Sequence, residues 1–431
     1  MMDNYRSTRG GPGVTLADAL FAGLAPDGGL YLPSSVPPLG APSDLGPSFV
    51  ETAEWAAQSF LGAAIGSEQA AVIATGALDL RVPLIEIEEG VHILELFHGP
   101  TMAFKDVGAR FMAHLMSALE PAEPTATPRT VLVATSGDTG GAVAAAFHGR
   151  PGYRVVVLFP ARGVSDRQRR QMTTLGGNVR AVAVDGTFDD CQRLAKAAFE
   201  DPDLAERHRF TSANSINIGR LLPQAFYYIH AARTLGWTDA PSRFVVPCGN
   251  LGNLFAGLLA QSAGMPTGGF LAASNANDAF PEFLRTGEAP TRPSRRTISN
   301  AMDVGVPSNL ERIVRWFDDD REALRGHVSA HSVSDAETRT CMADVHARTG
   351  YLLDPHTAVA YAAWQKDPTM DGPTVLLATA HPAKFPEVVR EATGVDLPIP
   401  SGLERAMRAT ETIDTMPASL QGLSVVLNRE S

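Results

Sequence analysis

Across residues 1–80 of this 431-residue chain, apolar positions recur with helical spacing. Leu16, Ala17, Leu20 and Phe21 form one such set, and Trp55, Ala56, Phe60 and Leu61 another. Proline and glycine breaks at 26–29 and 37–42 interrupt them. From Val91 onward the spacing changes. Short β-branched runs at 131–135, 155–159 and 179–184 alternate with helical patterns at 142–147, 167–175 and 189–199. A second series follows at 244–247, 254–262, 269–275 and 375–379. Strand–helix–strand alternation predicts an α/β protein with mostly parallel sheets, since parallel neighbours need a crossover connection. Residues 120–128, 201–203 and 290–296 read as surface connections. A helix-like stretch at 403–412 precedes a tail with no clear constraint.

Length and composition narrow the class. At about 100–200 residues per domain, the chain holds two to four domains. Hydrophobic residues are 44% and charged residues 19%, ordinary globular values. A net charge of -11 argues against a nucleic-acid or anionic-membrane surface. No apolar run approaches the roughly 18 residues of a membrane span, and residues 1–13 lack the apolar core of a signal peptide. Cys191, Cys248 and Cys341 are too dispersed for a disulfide framework or a zinc pair, so the expectation is a reduced cytoplasm and no metal. Of 36 basic side chains only four are lysines: Lys105, Lys196, Lys366 and Lys384. Any chemistry that needs an amine has four candidates.

Two glycine turns carry the chemical signal. Residues 244–253 run from an apolar strand into Cys248-Gly-Asn-Leu-Gly-Asn253, followed by a helical pattern. Such a turn aims backbone N–H groups and a helix dipole at an anion, usually phosphate, although an ordinary strand-to-helix turn looks similar. It is neither the dinucleotide fingerprint nor a Walker loop. Residues 131–141 repeat the layout, with Ser136, Gly137, Asp138 and Thr139 crowding a helix start. Those polar side chains and glycines exceed what capping requires, which favours approach to a small ligand.

Among the lysines, Lys196 reads as a solvated helix position and Lys366 as part of a turn at 364–372. Lys384, after His381-Pro-Ala, could edge a site. Lys105 lies beside an apolar turn at the start of the helix-like segment 107–119. In a dry pocket a lysine amine loses its proton more readily and can form a Schiff base. A lysine with two anion-cradling turns suggests pyridoxal phosphate, an aldehyde that carries its own phosphate.

At this point the chain resembles the threonine synthase family, pyridoxal-phosphate enzymes that share a fold with tryptophan synthase β. The matching stretches are 7–10, 23–31, 96–110, 134–147, 171–190, 212–224, 247–253, 299–309, 350–360 and 378–386. The resemblance implies two open, mostly parallel sheet domains behind an N-terminal, mainly helical segment that lines or covers the cleft. The expected boundaries are 1–90, 91–215 for a small domain, and 216–431 for a large one. It implies conversion of O-phospho-L-homoserine and water to L-threonine and phosphate, the last step of threonine biosynthesis. Lys105 would carry the Schiff base and move protons. Gly249, Asn250, Leu251, Gly252 and Asn253 would hold the cofactor phosphate, and Thr379 the pyridine nitrogen. The turn 136–140 would face the substrate carboxylate. Family turns often read Ser-Gly-Asn-Phe-Gly-Asp, where this chain has Cys248, Leu251 and Asn253 at the first, fourth and last places. A cradle of backbone N–H groups survives those changes. For the leaving phosphate, guanidinium is the natural partner, and the candidates are Arg9, Arg110 and Arg162. A serine/threonine dehydratase of the same fold, or a non-catalytic cofactor-binding relative, would keep Lys105 and both turns.

Overall fold

The computed structural model describes residues 4–40, 42, 45–120, 127–237, 241–368 and 372–429. Most of the connection expected at 120–128 lies outside them. Among the described residues thirteen strands form three sheets. Strands β1 (Tyr5–Ser7), β2 (Gly10–Val14) and β3 (Tyr31–Pro33) make a small antiparallel sheet in the order β2-β1-β3. Strands β4 (Leu84–Glu88) and β5 (Val91–Glu95) begin a six-stranded sheet. Next in sequence come β6 (Arg129–Ala134), β7 (Tyr153–Pro160) and β8 (Val179–Asp185). Then follow β9 (Arg243–Pro247), β10 (Phe270–Ser274), β11 (Val328–Ser332), β12 (Thr374–Ala378) and β13 (Asp414–Pro417). The large sheet runs β11-β10-β9-β12-β5-β4 and is parallel except for β4; the four-stranded sheet runs β13-β8-β7-β6 and is parallel throughout. The inner strands are buried along almost their whole length. Helices cover both faces of a parallel sheet, so its strands read as unbroken apolar runs rather than alternating ones.

Four sequence expectations change. The N-terminal region carries the β1–β3 sheet as well as the helices Leu16–Ala22, Phe49–Ile65 and Ser67–Leu78. Its strands are too short and glycine-rich for a period-2 pattern to show. Domain edges drawn in chain order do not coincide with the sheets: β5 belongs to the large sheet and β13 closes the edge of the small one. The connection at 201–203 starts a helix, Pro202–His208, capped by the Asp201 carboxylate. Finally, the tail is ordered. Beyond the helix Ser401–Arg408, β13 pairs with β8, and the helix Leu420–Leu427 buries Leu423, Val426 and Leu427 against the small sheet.

Candidate active site

Lys105 opens the helix Lys105–Leu119, and the loop before it is tied down on both sides. The Thr101 N–H and hydroxyl donate to the Asp106 carboxylate at 2.9 and 2.7 Å. The Phe104 N–H donates to the Thr379 carbonyl at 2.9 Å, and Ala103 bridges Ala380. The Lys105 loop is thereby fixed to the end of β12. Its Nζ is half-buried, 4.8 Å from the Phe104 ring centroid, with no ion pair or hydrogen bond among the described residues. Burial pushes its pKa down to about 8; Asp138 pulls it back up, while Lys384 and Arg220 push it lower. Lys196 is solvated as expected, beside Glu200. Lys366 is not in a turn but in the last turn of the helix Pro355–Lys366, paired with Glu337 at 2.8 Å.

The turn after β9 enters the helix Gly252–Ser262 with no side-chain cap, because Leu251 at the cap position has no acceptor; it sits in the left-handed region at φ 61°. Among the described residues, the backbone N–H groups from Gly249 to Leu254 donate to no protein acceptor. Gly249 is held to glycine by backbone, whereas Gly252 faces a side-chain end that can shift. A Cβ at Gly249 would lie 2.8 Å from Met302 Cα, and one at Gly252 2.8 Å from a Leu221 methyl. Asn250 is committed to structure: its Nδ2 donates to Ser215 Oγ at 2.7 Å and its Oδ1 accepts from the Ser308 N–H. Asn253 is half committed. Its Oδ1 accepts from the Tyr227 and Tyr228 hydroxyls at 2.5 and 2.8 Å, while its buried Nδ2 has no partner. Thr379, just past β12, lines the same cleft.

The second turn joins β6 to the helix Asp138–Phe147, again without a side-chain cap. Thr135 Oγ1 accepts from the Gly137 and Gly140 N–H groups at 3.0 and 2.9 Å. The N–H groups of Ser136, Asp138 and Thr139 meet no protein acceptor among the described residues. Burial alone would raise the Asp138 carboxyl, but the Lys384 and Lys105 ammonium groups outweigh it and hold the acid well below its ordinary range. Lys384 lies behind the cleft wall, fully buried, rather than at its edge.

None of the three arginines expected at a phosphate lines the cleft. Arg9 is exposed and paired with Glu311, Arg110 donates to the Ala77 carbonyl, and Arg162 is exposed beyond β7. Arg220 lines it instead. It is buried, its Nη1 donates to the Ala213 carbonyl, its Nε has no partner, and burial pushes its pKa down to about 10. A lone arginine within the apolar run 218–222, inside a stretch already matched to the family, was the available signal. His356 is a second cleft residue not read from the sequence. Its Nε2 accepts from the Ala301 N–H at 3.2 Å, so Nδ1 carries the proton to Asp354, 2.7 Å away. That pair holds the turn Asn300–Met302 over Gly249. The N-terminal region contributes no lining residue among those described: the first along the chain is Phe104.

An unpaired lysine between two N–H-lined helix starts, at the junction of parallel sheets, defines a site of the pyridoxal-phosphate enzymes. Residues 80–379 match the family of pyridoxal-phosphate dependent enzymes. Residues 4–75 match the threonine synthase N terminus and 357–426 the threonine synthase C-terminal region. Threonine synthase of Serratia marcescens is 41% identical over 414 residues, 94% of each chain. The enzyme of Escherichia coli is 40% identical over 91% of this chain and 92% of its own. The crystal structure of pyridoxal-phosphate-bound threonine synthase from Brucella melitensis superposes with a TM-score of 0.91 at 36% identity, covering 98% of each chain. The chain belongs to the threonine synthase family of pyridoxal-phosphate-dependent lyases.

Proposed function

We propose that the cleft binds pyridoxal phosphate on Lys105 and converts O-phospho-L-homoserine and water to L-threonine and phosphate, in the cytoplasm. The observation that carries this reading is the count of anion seats around one amine. The free N–H groups of 249–254 with the partnerless Asn253 Nδ2 make one, those of Ser136, Asp138 and Thr139 a second, and the buried Arg220 guanidinium a third. Cofactor phosphate, substrate carboxylate and substrate phosphate need three. A dehydratase acting on a hydroxy amino acid needs two. Among the described residues no helix is long and apolar enough to cross a membrane, and the three cysteines are unpaired and buried.

On this reading Asn253 and the surrounding N–H groups would hold the cofactor phosphate, and the Thr379 hydroxyl would bind the pyridine nitrogen. When bound, the cofactor supplies the electron sink that acidifies the substrate's α-hydrogen and lets the γ-phosphate depart. The protein's part is placement and proton transfer. Lys105 Nζ would be the base for the α-proton, favoured by a pKa of about 8. The 136–139 turn fixes the carboxylate, and Arg220 meets the leaving phosphate with a guanidinium that forms no ion pair among the described residues. Purified protein should release threonine and phosphate from O-phosphohomoserine in equal amounts, and Lys105→Ala should abolish both. Borohydride should fix the cofactor on the Lys105 peptide. Release of ammonia without phosphate, or an adduct on Lys384, overturns the reading.

A further inference from the structure

We propose that Lys384 is a positioning residue whose ammonium neutralises Asp138, so that the 136–139 turn can accept a carboxylate. The inference rests on the reading of that turn given above. Asp138 is the only acidic side chain lining the cleft among the described residues. A carboxylate at a helix start suits the helix dipole, but here it also sets a negative charge in the wall where the substrate's own carboxylate would bind. Its Oδ1 accepts from Gln168 Nε2 at 3.1 Å, whereas its Oδ2 meets no donor among the described residues. The only cation in ion-pair contact with it, among those residues, is Lys384, with Nζ 2.5 Å from Oδ1.

Lys384 cannot serve the ligand directly. Its side chain is 0% exposed and is not among the lining residues. Its second bond goes to the Thr101 carbonyl at 2.9 Å, an atom that also accepts from Gln171 Nε2 at 3.0 Å. Thr101 in turn grips Asp106, the neighbour of Lys105. One buried ammonium therefore spans the helix that starts at the carboxylate turn and the loop that presents the Schiff-base lysine. It acts on a ligand only through Asp138, by cancelling a repulsion. Like charges set against each other at a binding surface oppose binding, while a buried ion pair by itself is a weak source of stability.

The test compares Lys384→Met, Asp138→Asn and the double variant with wild-type holoenzyme. Two phosphonates are titrated, with the cofactor's absorbance as readout. The first is 2-amino-5-phosphonopentanoate, the substrate isostere in which a methylene replaces the ester oxygen. The second is 4-aminobutylphosphonate, the same molecule without its carboxylate. Lys384→Met should weaken the amino acid at least about tenfold and the amine less than about threefold, because only the former meets the uncovered charge. The double variant should restore the amino acid to within about threefold of wild type, since its turn is again neutral. Equal weakening of both compounds marks Lys384 as a structural staple and overturns the proposal. A double variant as weak as Lys384→Met overturns it too. If Lys384→Met does not hold cofactor, the double variant decides: its ratio of the two affinities must match wild type, and a collapsed ratio overturns the proposal. The underlying reading fails separately. Wild-type enzyme that binds both phosphonates equally has no carboxylate seat in this turn, and wild type that releases no phosphate from O-phosphohomoserine lacks the proposed activity.

Discussion

Lys105 and Arg220 both depart from the ordinary behaviour of their type, and each departure can be measured. Lys105 is held to a pKa of about 8 mainly by burial. In protein stripped of cofactor, capture of pyridoxal phosphate should therefore rise with pH and level off just above 8, because the neutral amine is the nucleophile. A rise continuing toward the usual lysine range of about 10.4 would show the amine to be solvated. The sign for stability follows. Between pH 8 and the unfolded value the unfolded chain binds more protons at this site, so stripped wild type should gain stability with pH relative to Lys105→Met. Arg220 is the other case. Changing it to Ala should lower kcat/KM for O-phosphohomoserine about tenfold or more, about 1.4 kcal/mol, with the cofactor spectrum intact. Arg9→Ala, Arg110→Ala and Arg162→Ala should stay within about threefold, since their partners are surface or backbone groups outside the cleft. Steady-state kinetics on the four variants decides, and a silent Arg220→Ala removes the third anion seat. These arginines show what sequence spacing leaves out. Arg110 is close to Lys105 along its helix but turned toward the Ala77 carbonyl, whereas Arg220 arrives from a segment more than a hundred residues away.

At the scale of elements, the legible parts were those whose own pattern matches their surroundings. β6 to β9, β10 and β12 are continuous apolar runs, and each glycine turn announces the helix that follows. Elements stabilised from outside were not legible. The helix Leu420–Leu427 has two β-branched residues and a glycine in eight positions, weak helix formers. What fixes it is tertiary. Arg154 on β7 donates to the Leu427 and Arg429 carbonyls at 2.6 and 3.1 Å, and Arg180 on β8 donates to the Val426 carbonyl at 2.7 Å. Guanidinium groups thus satisfy the last carbonyls of a helix whose first turn is capped by the Ser419 hydroxyl. Leu423, fully buried in the same cluster as β7 and β8, is the packing half of that anchor. Leu423→Ala should cost about 2–5 kcal/mol in urea unfolding, as for other buried leucines. A loss under about 1 kcal/mol would be the value for a surface position and would detach the tail from the small-sheet core.

Across the whole molecule, the N-terminal region acts on the cleft without reaching it. Besides its packing on the Lys105 helix, one of its contacts runs through the helix Asn309–Trp316. Arg9 and Thr8 bind Glu311, and the Tyr31 carbonyl accepts from Arg312 Nε at 3.1 Å. Arg312 is fully buried and forms no ion pair among the described residues; burial pushes its pKa down to about 9. Its other nitrogens donate to the Ser215 and Ile216 carbonyls at 3.3 and 2.8 Å and to Asn309 Oδ1. Ser215 Oγ receives Asn250 Nδ2, and Asn309 Nδ2 donates to the Asn250 carbonyl at 2.9 Å. One guanidinium therefore connects β3 to the turn assigned to the cofactor phosphate. A sequence could not disclose this, because the segments it joins are spread along the chain from Tyr31 to Arg312 and contribute mostly backbone oxygen. Arg312→Met keeps the apolar bulk and leaves those carbonyls without a donor, at about 1–3 kcal/mol for each that water cannot reach. The variant should unfold at lower urea and, while still folded, bind pyridoxal phosphate more weakly than wild type by about tenfold, because the 249–254 turn loses its brace. A spectroscopic titration of the cofactor beside the unfolding curve separates the two effects. Lower stability with unchanged cofactor affinity would confine Arg312 to holding the N-terminal sheet and leave the turn positioned by β9 and its helix alone.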